Sequence, residues 1–168
     1  NPRTVLSTMH QGVRMGHEIN RGLGFLQSDW FVDQHCLVRG RFARVIVAMH
    51  AKGIKYGLGI DEDTAVIVRK GEELTVAGYK GVLVFDISEA KRNPDVSRFN
   101  LQNVKMSYLD RGDRINLKTL EITPHELKGA TAKIDPQAAD FKPTERRPIF
   151  STDILANAVV TSLMSQLL

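Results

Sequence analysis

Residues 33–44 read Asp-Gln-His-Cys-Leu-Val-Arg-Gly-Arg-Phe-Ala-Arg, and residues 57–65 read Gly-Leu-Gly-Ile-Asp-Glu-Asp-Thr-Ala. The first stretch sets a candidate general base, His35, behind a carboxylate and an amide, Asp33 and Gln34. Three guanidinium groups follow it, Arg39, Arg41 and Arg44. That composition suits an anionic or peptide substrate, because each guanidinium can bind a carboxylate through two parallel hydrogen bonds. Just upstream, Trp30-Phe31-Val32 is a short apolar run that reads as a buried strand delivering His35 at its end. Downstream, Arg41 to Lys52 carries Phe42, Val45, Ile46 and Met49 at helical spacing and stops at Gly53, a C-cap signal. The candidate site therefore straddles a strand-to-helix junction, and the fold class is α/β.

Outward from this junction the pattern changes to short strands. Ile54 to Ile60, Thr64 to Val68, Leu74 to Ala77 and Val82 to Ile87 are β-branched runs separated by turns such as Lys70-Gly71-Glu72-Glu73 and Gly78-Tyr79-Lys80-Gly81. They predict a series of strands, the later ones paired as hairpins. After the polar stretch Ser88 to Asn100, Val104 to Leu109, the turn Asp110-Arg111-Gly112-Asp113 and Ile115 to Ile122 predict one more hairpin. Thr8 to Asn20 is a helix or a loop, closed by Gly22 and Gly24. Residues 123–148 hold Pro124, Pro136, Pro143 and Pro148 without periodicity and read as a loop region. From Thr152 to Leu168, the positions Ile154, Leu155, Val159, Val160, Leu163, Met164 and Leu167 define an amphipathic C-terminal helix. No internal repeat or low-complexity tract occurs.

The bulk numbers exclude several function classes. A chain of 168 residues, 42% hydrophobic and 25% charged, has the composition of one soluble globular domain. The net charge of +4 raises a nucleic-acid partner, but the basic residues are spread along the chain and no aromatic platforms interleave them. A mildly basic solvated surface accounts for them, so no nucleic acid is expected. No run of 18 apolar residues and no signal peptide occur, so no membrane is expected and the location reads as cytoplasmic. Because the chain begins on Asn1 rather than Met, a secreted or periplasmic location stands as the alternative. The single Cys36 rules out an internal disulfide and fits a reducing compartment. His10, His17 and Glu18 form neither a His-Glu-x-x-His nor any cysteine pair motif, so no metal is expected. Gly57-Leu58-Gly59 lacks the third glycine of a dinucleotide loop, reads as a tight strand end and implies no cofactor.

Hydrolysis by a Ser-His-acid site needs an imidazole to take the nucleophile's proton and a carboxylate to fix its tautomer and stabilise the imidazolium. His35 can be that base, and Asp61, Glu62 or Asp63 can be the acid. His35 and Glu62 lie 27 residues apart with a helix and a strand between them, the separation at which a crossover brings two parallel strand ends side by side. A lone histidine among apolar residues is more often structural, so the weight rests on what surrounds it. Cys36 follows His35 directly, and neighbouring side chains on an extended segment point to opposite faces, which makes it a small buried hydrophobe rather than a nucleophile. Ser7 and Thr8 lack the small flanking residues of a nucleophile turn, and Asn1 has no hydroxyl or thiol.

Taken together, the two stretches resemble the cyanophycinase family of serine peptidases. Asp33, Gln34, His35, Arg39, Arg41 and Arg44 stand at that family's spacing, and the likeness continues through Gly57 to Ala65, Val76-Ala77-Gly78, Gly81-Val82-Leu83-Val84-Phe85-Asp86 and, more faintly, Gly112 to Leu117. It covers residues 5 to 120. The resemblance implies a class I glutamine-amidotransferase-like fold, a flavodoxin-like three-layer sandwich with added β-hairpins, of which residues 1–168 are the C-terminal portion of a single hydrolase domain. It selects Glu62, within Gly-Ile-Asp-Glu, as the triad acid beside His35. It implies a substrate pocket built with Asp33, Gln34, Arg39, Arg41 and Arg44, and amide hydrolysis through an acyl-enzyme on cyanophycin or a related β-aspartyl or isopeptide substrate, without a cofactor.

One family element is missing. The nucleophilic serine of that family sits on a Gly-Thr-Ser-Ala-Gly-type elbow, and no such element occurs in the 168 residues. The expectation is that it lies upstream of Asn1, on the N-terminal portion of the same enzyme, in the same or a separate chain. That portion, a peptide substrate and a second copy forming a dimer are the partners expected. The alternative is a non-catalytic binding module or an accessory subunit lacking the nucleophile. Among the arginines, Arg44 is expected to be structural, holding Asp33 or a neighbouring carboxylate.

Overall fold

The computed structural model describes residue 8, residues 10–37 and residues 40–129. Strand β1 (Trp30–Gln34) leads through a turn into helix α1 (Phe42–Lys52), which is followed by β2 (Tyr56–Ile60), β3 (Thr64–Arg69), β4 (Glu73–Gly78) and β5 (Val82–Asp86). Then come β6 (Lys105–Leu109), β7 (Arg114–Asn116), β8 (Ile122–Thr123) and a short 3-10 helix (Glu126–Lys128). The helix stops where the sequence says it should. Gly53 takes a left-handed φ of 67° that a side chain would strain, and its N–H caps the carbonyl of His50.

The described residues form two four-stranded sheets, in the orders β1-β2-β5-β6 and β3-β4-β7-β8. Among the described residues only β1 and β2 run parallel, because α1 carries the chain back between them; every other strand pair there is antiparallel. Alternation along the strands then fixes three layers. One face of the first sheet, with Trp30, Leu58, Val82, Val84 and Leu109, packs on Leu74, Val76, Ile115 and Leu117 of the second sheet and the turn after β7. The opposite face, with Leu83 and Phe85, packs on Cys36 and on Val45 and Met49 of α1. Helix, sheet and sheet are stacked in that order, an α/β arrangement.

Close packing of the helix layer depends on the two glycines of β2. A Cβ at Gly57 would lie 2.6 Å from Met49 Sδ, and one at Gly59 would lie 2.5 Å from Cys36 Sγ. These residues sit inside β2, flanked by paired neighbours on both sides, so the reading of Gly57-Leu58-Gly59 as a tight strand end is corrected. Their role is to let the junction and α1 approach the sheet.

A second correction concerns residues 104–122. Val104 to Leu109 and Ile115 to Ile122 do not form a hairpin with each other: β6 pairs with β5 in the first sheet, and β7 pairs with β4 in the second. The turn between them moves the chain across the sandwich. Asp113 anchors that turn, 4% exposed and accepting from the N–H of Asp110, the N–H of His125 and Nζ of Lys128. Burial alone would raise its carboxyl, but the bonds from Lys128 and the two backbone donors outweigh that and hold it below the usual carboxylate range. The stretch Ile115 to Ile122 is also broken, since the turn at Leu117 to Leu120 folds β8 back onto β7.

Thr8, His10 and Gln11 are helical and the chain beyond them is irregular, so the segment from Thr8 to Asn20 is mostly loop. Of the expected loop region 123–148, residues 123–129 are described and include β8's end and the 3-10 turn; the remainder and the helix from Thr152 to Leu168 lie outside the described residues. Among the described residues no helix is long and apolar enough to cross a membrane.

Candidate active site

Parallel pairing of β1 with β2 sets Gln34 opposite Ile60, so the residues that follow each strand emerge at the same edge of the sheet. His35 leaves β1 in a left-handed conformation (φ 51°), and its N–H donates to Ile60 O at 2.8 Å. That bond fixes the histidine backbone against the end of β2. Glu62 lies two residues beyond Ile60 in the turn to β3, and the two side chains meet: His35 Nδ1 is 3.2 Å from Glu62 Oε1. Nδ1 is shielded from solvent, and the approach lies off the N–H axis, so the contact is an electrostatic pairing rather than a well-directed hydrogen bond. The imidazole as a whole stays 41% exposed, which leaves it open to a reacting group.

The other expected residues divide in two. Asp33 points to the helix side of the sheet, and Arg44 Nη2 donates to its Oδ1 at 2.8 Å, the pairing expected for that arginine. Both side chains are largely buried. Burial raises the Asp33 carboxyl above its usual range, while the Arg44 charge and hydrogen bond work against that rise. Gln34 is exposed, and Arg41 Nη1 donates to its backbone carbonyl at 3.0 Å across the junction. Arg39 lies outside the described residues.

Cys36 is fully buried, and burial pushes its thiol far above the usual range, with the Asp33 and Asp61 carboxylates adding to the effect. It cannot offer a thiolate near neutral pH, which agrees with its reading as a packing residue. Glu18 is paired with Arg14 at 2.7 Å, a local contact within the loop.

One residue at the site has no counterpart in the sequence reading. Lys80, in the turn between β4 and β5, sets Nζ 3.2 Å from Glu62 Oε2. Gly78-Tyr79-Lys80-Gly81 reads from sequence as a turn and nothing more, since a lysine between glycines carries no spacing signal that links it to residue 62. The link exists because the turn before β5 folds beside the turn after β2, strands that pair with each other.

No protein-family model matches the chain. Among curated proteins, the cyanophycinases of Synechococcus elongatus and Thermosynechococcus vestitus are each 34% identical over 110 residues, 62% of this chain and 34% of the relative. The cyanophycinase of Geminocystis herdmanii is 34% identical over 103 residues, 58% of this chain and 38% of the relative. These relatives bear out the resemblance to the cyanophycinase family over that part of the chain. The matched part spans about a third of their length.

Proposed function

We propose that the chain supplies the base and the acid of a serine-type hydrolase of the cyanophycinase kind, acting on cyanophycin or a related β-aspartyl or isopeptide substrate. The observation that carries this reading is the His35–Glu62 pair, 3.2 Å apart at the ends of two parallel strands. With Glu62 on the Nδ1 side, Nε2 is the nitrogen left to take a serine proton. In this scheme the serine Oγ attacks the scissile carbonyl as its proton passes to Nε2. The imidazolium, stabilised by Glu62, then gives that proton to the leaving amine, and an acyl-enzyme remains. Water then attacks the acyl carbon, losing a proton to Nε2, which passes to the serine Oγ as the Oγ–acyl bond breaks and the acid is released.

The nucleophile in this proposal is a serine on an elbow upstream of residue 1, because no elbow sequence occurs in the 168 residues. The parallel β1–α1–β2 unit would be one unit of a flavodoxin-like, class I glutamine-amidotransferase-like sheet that the upstream portion completes. Arg41 would face substrate carbonyls and carboxylates, and Gln34 the substrate's guanidinium groups. The Asp33–Arg44 pair would brace the junction beneath them, since its members are committed to each other.

The test is His35→Ala and Glu62→Gln in the full-length protein, with cyanophycin as substrate. We expect His35→Ala to lower turnover by about three orders of magnitude or more with an unchanged melting temperature. Undiminished cyanophycin hydrolysis by His35→Ala would overturn the reading. The missing elbow also favours a second reading, a binding module or accessory subunit without its own nucleophile. An intact-mass measurement of the native protein, with N-terminal sequencing of any second band, separates the two.

A further inference from the structure

We infer that Lys80 is a positioning residue for the candidate acid: it holds Glu62 in the rotamer that faces His35. The inference rests on the His35–Glu62 reading and extends it to a residue outside both motifs.

Glu62 is clamped first through its backbone. Asp61 N–H donates to Gly81 O at 3.3 Å, and Tyr79 N–H donates to Asp63 O at 3.0 Å, so the turn after β2 is tied on both sides of residue 62 to the turn before β5. Thr64 Oγ1 donates to Glu62 O at 3.1 Å and accepts from Lys80 N–H at 3.2 Å, which adds a third tie through the two residues in question. Gly78 makes this fit possible. Its φ is 119°, and any Cβ there would collide with the carbonyl oxygen of Asp63. Two turns that close leave little freedom for the backbone beneath Glu62.

The side chain is then held at both carboxylate oxygens. Oε1 faces His35 Nδ1 and Oε2 faces Lys80 Nζ, each at 3.2 Å. A carboxylate engaged on one oxygen only can turn about its last torsion; engaged on two opposite sides, it cannot turn without breaking one contact. The off-axis approach to His35 makes this restraint matter more, because the pairing there depends on where the charge sits rather than on a directed bond. Lys80 is 36% exposed and Glu62 31%, so the contact is partly screened and its effect is moderate.

The experiment compares Lys80→Arg, Lys80→Met and Lys80→Glu with His35→Ala in the full-length protein, using cyanophycin hydrolysis and thermal melts. Lys80→Met is expected to lower kcat about fivefold with KM and melting temperature unchanged, since a half-exposed charge contact is of that size. Lys80→Arg should recover most of that loss, and Lys80→Glu, which repels Glu62, should lose more than Lys80→Met. Wild-type kcat in both the Met and Glu variants overturns the inference, as does a loss that follows the melting temperature and is not recovered by arginine. If His35→Ala abolishes hydrolysis while the Lys80 variants do not change it, only the role of Lys80 falls. If His35→Ala leaves hydrolysis intact, the triad reading falls and this inference with it.

Discussion

Arg44 separates bracing from binding at the candidate site. Its guanidinium does most to offset a carboxylate which burial alone would penalise, ahead of the Arg41 charge, with Asp33 and Arg44 only 14% and 19% exposed. Removing it leaves Asp33 buried without that partner. Arg44→Ala is expected to cost about 2 kcal/mol, below the range for fully buried pairs because both groups keep some solvent. A chain of this size would melt on the order of 5 °C lower. The pH dependence has a definite sign. Asp33 is raised in the folded state, so its protonated form favours folding below the ordinary carboxylate range, and that contribution is lost as pH rises through the folded value. Arg44→Ala deepens the penalty on the ionised form, so its deficit should be larger at pH 7 than at pH 4, measured by urea unfolding at both. Arg41→Ala, which loses a partly exposed bond to the Gln34 carbonyl and a weaker charge interaction with Asp33, should cost less than Arg44→Ala, about 0.5 kcal/mol. Equal losses for both arginines would refute the division. His35 was legible from the strand end that delivers it, and the Asp33–Arg44 pairing from their places at the junction, whereas spacing left Asp61, Glu62 and Asp63 open and only the family resemblance singled out Glu62. Lys80 was not legible, because its place depends on which distant turns abut.

The elements were legible where one local rule decides them. Helix α1 follows from apolar spacing and a glycine stop, β1 from a short apolar run, and β2 through β5 from β-branched runs between turns. The failures came where two sheets compete for neighbouring residues. Val104 to Ile122 looks like a hairpin because a turn joins two apolar runs, yet Leu109 is needed in one sheet and Ile115 in the other. Asp113 holds the chain at the crossing. No local rule chooses between pairing partners, since only the packed sandwich ranks them. The glycines of β2 teach the same lesson from the packing side and allow a paired test. At Gly59 an added Cβ would also meet Cys36 Cβ at 2.6 Å, an atom fixed to the backbone, whereas at Gly57 it meets the flexible end of Met49. Gly59→Ala is expected to cost about 2 to 3 kcal/mol and Gly57→Ala about 1 kcal/mol, because only the methionine can swing aside. Because Cys36 adjoins His35, Gly59→Ala should also shift the His35 ring resonances in an NMR spectrum, which Gly57→Ala should not. Equal costs, or an unmoved His35 in Gly59→Ala, would mean that the junction yields more easily than its packing implies.

At the scale of the molecule, β1 is the edge of its sheet among the described residues, and it is the strand that carries the candidate base. The N–H of His35 donates to Ile60 O, and N–H groups alternate between the two edges of a strand, so those of Phe31 and Asp33 face β2. The groups of Val32 and Gln34 face the other way. An open edge with unpaired donors invites another strand, and proteins usually cover, shorten or charge such edges. Arg41 charges the end of this one by bonding the Gln34 carbonyl, but Val32 is 46% exposed, an apolar side chain in the middle of the edge. The curated relatives are about three times as long as the matched stretch. Amide exchange in the full-length protein provides the measurement. If another strand pairs with β1, the N–H groups of Val32 and Gln34 should exchange as slowly as those of Phe31 and Asp33. Fast exchange at Val32 and Gln34 in the full-length protein would mean that β1 remains an edge. The sheet would then not be completed on the side of His35, and under the proposed hydrolase reading a nucleophile would have to come from a neighbouring loop rather than from an adjacent strand.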